Sequence, residues 1–124
     1  MRVPRLFKEG MLIIAAECAE GLGSEEFREM ATRFQAANSF LETILSNPVV
    51  LDQWQLEECA KAARKADVVL ISSGIAASHL DKLFIRSCNS VEEALRQGFE
   101  KFGSQASVAV IPKGPYTLVD IYPV

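Results

Sequence analysis

The chain has 124 residues, 49% hydrophobic and 23% charged, with 13 Lys and Arg against 16 Asp and Glu for a net charge of −3. That length fits one domain and excludes a complete two-domain enzyme, while the apolar share excludes wholesale disorder. An acidic balance without a clustered basic face argues against a nucleic-acid partner, and no apolar run approaches the roughly 20 residues that a membrane span needs.

The first nine residues carry Arg2, Arg5 and Lys8, but Glu9 and Gly10 follow and no small-residue cleavage pattern closes the next apolar stretch. The expected compartment is therefore the cytoplasm. Cys18, Cys59 and Cys88 are odd in number, widely spaced and free of any C-x-x-C pair. Reduced, buried or half-buried thiols are expected rather than a disulfide framework or a metal site. A single histidine, His79, cannot fill the usual zinc sets.

Met11 to Ala16 (MLIIAA) is a continuous apolar run, the pattern of a strand covered on both faces in a parallel sheet. It leads into a loop, Glu17 to Gly23. Ser24 then caps a helix whose stripe is Phe27, Met30, Ala31 and Phe34, with Glu25 and Glu26 complementing its N-terminal dipole. Phe40, Leu41, Ile44 and Leu45 extend a helical stripe to Asn47-Pro48, either as one long bent helix or as two short ones broken near Asn38.

Asp52-Gln53-Trp54-Gln55 reads as a capping box opening a helix to about Arg64, with a small inner face of Cys59, Ala60 and Ala63. Asp67 to Ser72 is a second buried-type strand, ended by Ser73-Gly74. Ile75 to Cys88 is ambiguous: a short helix near Ala76–Lys82 and a strand at Leu83–Arg86 both fit. Ser90-Val91-Glu92-Glu93 is a capping box, opening a helix that ends at Gly103 and turns Val91, Leu95, Phe99 and Phe102 to one face. Ser107 to Ile111 is expected to be a third strand, halted by Pro112-Lys113-Gly114-Pro115, and Thr117–Tyr122 a last, more exposed one. The order predicts a single α/β domain over residues 1–124, with a mostly parallel sheet flanked by helices.

The loop ECAEGLGSEEF (Glu17 to Phe27) carries a strand through Gly21 and Gly23 to a helix N-terminus, where α/β folds place ligands. Glu26 stands where a dinucleotide loop has its third glycine, and four glutamates in the segment oppose a pyrophosphate. Turn-forming glycines, or a loop facing a ligand or partner domain, explain the pattern more simply. Glu17 and Glu20 could form an acid/base pair, but carboxylates on a strand-end loop are more often solvated or capping groups. His79 in a catalytic triad needs tertiary proximity that spacing does not provide, so a surface or partly buried structural histidine is expected. Lys113 is a turn residue first and an anion contact second. Trp54, the single tryptophan, is either a core anchor or a ligand or interface wall.

Taken together, KEGMLIIAAECAEGLGSEEF, DQWQ, ADVVLISS, SVEEAL and SVAVIPKG resemble, in that order and spacing, the C-terminal domain of the nickel-pincer lactate racemase family. The resemblance runs from about Lys8 to Gly114. It implies a two-domain protein racemising lactate or a related 2-hydroxy acid, with a nickel pincer cofactor that takes and returns the α-hydride while a histidine moves the hydroxyl proton. It also implies that the nickel ligands, the cofactor-linked lysine and the catalytic histidines belong to an N-terminal domain absent from this chain. The family's Gln-x-x-Lys pair would fall upstream of Met1. The family's substrate-side tryptophan matches Trp54, the one site residue the resemblance carries over. The usual Gly-Gly at the first strand is Gly10-Met11 here.

On this reading the chain is the closing, substrate-enclosing domain of a nickel-dependent 2-hydroxy-acid racemase or epimerase, inactive alone, with no catalytic, cofactor or metal residue of its own. Its expected partner is the N-terminal catalytic domain, in the same or a separate chain. A stand-alone interaction or regulatory module is the alternative, and a small nucleotide-binding domain using the Gly21–Gly23 loop is a weaker one.

Overall fold

The computed structural model describes residues 10–34 and 36–118. Strand β1 (Gly10–Ala15) is followed by helices α1 (Glu25–Arg33), α2 (Ala37–Ile44) and α3 (Gln53–Ala63), then β2 (Ala66–Ile71). A short helix α4 (Ala77–Leu80) with a 3-10 turn at Asp81–Leu83 leads to β3 (Arg86–Ser87), and α5 (Val91–Phe102) follows. The sheet order is β1-β2-β3 and both pairings are parallel. This is the expected α/β architecture.

The pleat divides the sheet between two helical layers, because neighbouring residues of a strand point to opposite faces. Leu70 joins Phe27, Met30, Ala31, Phe40, Leu56, Ala60 and Leu80 in the main core, so α1 to α4 cover one face. On the other, Met11, Asp67 and Arg86 face α5: Met11 Sδ lies where a β-carbon on Gly98 would meet it at 3.4 Å, Asp67 pairs with Lys101, and Arg86 bonds Gln97. Gly98 thus lets α5 approach β1 closely. Among the described residues no helix is long and apolar enough to cross a membrane.

Two helix starts follow the sequence. Ser24 Oγ accepts from Phe27 N at 3.2 Å and Ser90 Oγ from Glu93 N at 3.1 Å, each satisfying a first-turn amide that the helix leaves free. Of the two readings of the stripe that runs to Asn47-Pro48, two short helices form, the first ending at Arg33 and the second starting at Ala37. Several expectations are corrected. Leu45 is exposed just beyond α2 rather than part of it. Asp52 makes no cap bond: it sits at φ 60°, in the left-handed region. On the inner face of α3 Ala60 is buried as expected, with Leu56 beside it in the core, while Cys59 and Ala63 are only half-buried.

β1 is half-buried rather than covered on both faces, since it is an edge strand paired with β2 alone among the described residues. The segment 75–88 resolves into α4, the 3-10 turn and a strand of two residues, Arg86–Ser87, because Phe84 at φ 63° turns the chain just before it. The strand expected at Ser107–Ile111 does not form: these residues pair with no strand among the described residues, and Val110 is 82% exposed. Thr117 and Leu118 are not in a strand either, and the rest of the expected Thr117–Tyr122 strand lies outside the described residues.

Candidate functional site

In a parallel sheet the carboxyl ends of all strands lie at one end, and the loops that leave them form the usual ligand crevice. Here those loops are residues 16–24 after β1 and 72–76 after β2. Helix α3 leads directly into β2, so its first turn, with Trp54, stands at the same end.

The two loops are stitched together. Ala16 N donates to Ile71 O at 3.0 Å, Ser72 Oγ and Gly74 N both donate to Glu17 O at 2.9 Å, and Gly21 N closes a turn on Cys18 O at 2.9 Å. Cys18, Gly21 and Gly23 take positive φ of 50°, 66° and 81°. The glycines therefore serve the turn, as glycine does where a β-carbon would strain the backbone.

A second tie joins this loop to α3. Ser24 Oγ donates to Asp52 Oδ2 at 2.7 Å across 28 residues, and Gln55 Nε2 donates to Asp52 Oδ1 at 3.1 Å. The start of α1 and the start of α3 are thus locked together beside the crevice. Trp54, one turn in, is 65% exposed. It is not a core anchor.

Beyond β2 and β3 opens a cleft of about 390 Å³ lined by Ser72, Ser73, Ile75, Leu80, Cys88 and Asn89 among others. Its hydroxyls and amide can orient a small polar molecule, but it contains no charged group that could act as a strong acid or base. The remaining candidates are not gathered. Glu17, Glu20 and Lys113 are exposed, and His79 is exposed on α4. The three cysteines are free and half-buried. Burial, and secondarily Glu58, pushes the Cys59 thiol up, which keeps it protonated and unreactive.

Among the described residues no three His, Cys, Asp or Glu side chains stand close enough to hold a metal ion. The donor set of these residues does not fit a nickel centre. The sequence missed the Ser24–Asp52 tie and the role of Ser72–Gly74. The only signal for the latter was a Ser-Ser-Gly run closing a buried strand opposite another glycine loop.

An open parallel α/β domain with a stitched crevice and an exposed aromatic at its rim is the class that this geometry defines. Within it, residues 5–119 match the lactate racemase C-terminal domain, and the chain belongs to that family. It is 26% identical over 113 residues to a lactate racemase of Thermoanaerobacterium thermosaccharolyticum, covering 89% of this chain and 26% of that protein. The solved lactate racemase apoprotein from the same organism superposes with a TM-score of 0.82 at 25% identity, over 92% of this chain and 28% of the other. The chain thus spans about a quarter of the length of the relative it matches.

Proposed function

We propose that this chain is the substrate-enclosing domain of a nickel-dependent 2-hydroxy-acid racemase or epimerase in the cytoplasm and that it has no turnover alone. The observation that carries the reading is Trp54, exposed at the ligand end of a domain of the lactate racemase C-terminal family. A solitary soluble domain gains nothing from an indole in water, whereas a domain that closes on a substrate gains a flat apolar wall with one N–H donor. In this reading the nickel cofactor belongs to the partner portion, toward which this chain turns its crevice end. This chain's own part is to orient: the Ser24–Asp52 tie fixes the first turn of α3, and with it the position of the indole.

The test is racemisation of a 2-hydroxy acid by the protein carrying both portions. Trp54→Ala should lower kcat by about 10–100-fold, as loosened placement of a reacting group does, while the 124-residue chain alone shows no turnover. Full activity of the Trp54→Ala protein, or turnover by the chain alone, would overturn the proposal.

A further inference from the structure

Five of the chain's exposed large apolar side chains fall within ten residues. Leu45, Val49, Val50 and Leu51 stand on the connection between α2 and α3, and Trp54 follows in the first turn of α3; Leu45 is 87%, Val49 84% and Leu51 66% exposed. From Leu45 to Leu51 the sequence, LSNPVVL, carries no charge, and the one charge before Trp54, Asp52, is engaged by Ser24 and Gln55. Large apolar side chains exposed together on one uncharged connection mark an interaction surface.

The patch has a built shape. Ser46 N and Asn47 Nδ2 both donate to Thr43 O, at 3.1 and 2.8 Å, fastening the end of α2. Gln53, buried, closes the other side: its N donates to Val50 O at 3.1 Å and its Oε1 accepts from Val50 N at 3.2 Å. Asp52 holds a left-handed backbone conformation that a non-glycine residue adopts only when its surroundings enforce it. Strain and a buried amide are thus spent on presenting apolar side chains to water, an arrangement that makes sense when a partner meets a ready-made surface.

The fold places this tip. Leu45 lines a shallow groove with Asn38, Leu41, Glu42 and Arg64, whereas Val50 is hydrogen-bonded in both directions to Gln53, the first residue of α3, so Val49 to Leu51 lie at the end where α3 begins. That is the crevice end, beside Trp54. Phe99 and Phe102, the half-exposed aromatics of α5, lie instead toward the opposite end, where Lys101 reaches Asp67 at the start of β2.

We propose that the tip Val49–Leu51 is the surface by which this domain docks on the catalytic portion of a lactate racemase-type protein, holding Trp54 over the cleft between them. The inference rests on the function proposed above. Two observations select that occupant: the chain matches the C-terminal domain of a relative of which it spans 26%, leaving most of such a protein to lie against it, and the tip is uncharged, which suits an apolar protein surface rather than nucleic acid or lipid headgroups.

The experiment places a photo-crosslinking benzoylphenylalanine at Val49 or Leu51 in the native protein, with Val110, 82% exposed, as the control position. Crosslinked peptides are then mapped by mass spectrometry. The expected result is that Val49 and Leu51, but not Val110, join to peptides of the catalytic portion, at ten or more times the control yield. Crosslinks to a second copy of this chain would overturn the proposal, as would yields at the control level. Racemisation, measured on the same preparations without irradiation, separates the two ideas. Crosslinks to the catalytic portion without turnover sink the functional reading and keep the docking surface; turnover without those crosslinks does the reverse.

Discussion

Gly74 approaches the backbone of Cys18 so closely that a β-carbon on it would stand 1.8 Å from the Cys18 carbonyl oxygen and 2.6 Å from that of Glu17. Both neighbours are backbone atoms, which cannot rotate aside as a side chain can. Gly74→Ala should therefore push the two crevice loops apart and break the bond from Gly74 N to Glu17 O. The expected cost is about 2–3 kcal/mol, the upper range for overpacking a well-fitted site, measured by urea denaturation. A change below about 0.5 kcal/mol would show that the loops are not locked together.

Ser24 makes two bonds with one hydroxyl, accepting from Phe27 N and donating to Asp52 Oδ2. Ser24→Ala should cost about 1–2 kcal/mol, the usual loss for an N-cap. Part of that loss belongs to Asp52. A double-mutant cycle with Asp52→Ala is expected to return a coupling of about 1 kcal/mol; additive losses would mean that the tie between α1 and α3 contributes nothing.

Trp54 and Leu56 lie two residues apart in α3 yet differ in surroundings, the indole 65% exposed and Leu56 fully buried. Truncating Trp54 to Ala should destabilise the domain by about 1 kcal/mol or less, as at other exposed positions. Leu56→Ala should cost about 2–5 kcal/mol, with the spread set by how far the cavity collapses. Equal losses by chemical denaturation would return Trp54 to the core.

Asp67 accepts two bonds from Arg86, Nε to Oδ1 and Nη2 to Oδ2, each at 2.9 Å, with Lys101 Nζ 3.7 Å away. Arg86 holds the Asp67 carboxyl below its ordinary value, outweighing the opposing effect of partial burial. A carboxyl whose folded pKa is depressed contributes stability that is present above its unfolded pKa of about 4 and is lost as pH falls through the folded value. Asp67→Asn should therefore cost about 1 kcal/mol at pH 7, the scale for a half-exposed pair of good geometry. That gap should close as the pH falls through the depressed folded value. A pH-independent difference would assign the effect to packing instead.

The sequence by itself determined the elements whose signals are local. Ser24 and Ser90 start their helices because a hydroxyl needs only the amide three residues on, and Val68–Leu70 are buried because a run of β-branched and aliphatic residues leaves no face for water. The family was legible for the same reason: order and spacing of strand, glycine loop and helix are properties of the chain alone. Tertiary structure decided the rest. Asp52 has the residue type of a cap, but the competing hydroxyl of Ser24, 28 positions away, takes its carboxylate, and the backbone turns left-handed instead of capping. Ser107–Ile111 has strand composition, yet a strand exists only when a neighbour supplies its hydrogen bonds, and none of the described strands does. Whether Trp54 packed inward or faced outward likewise turned on where α3 met α1, α2 and β2, and Leu56 and Ala60 took the inner positions.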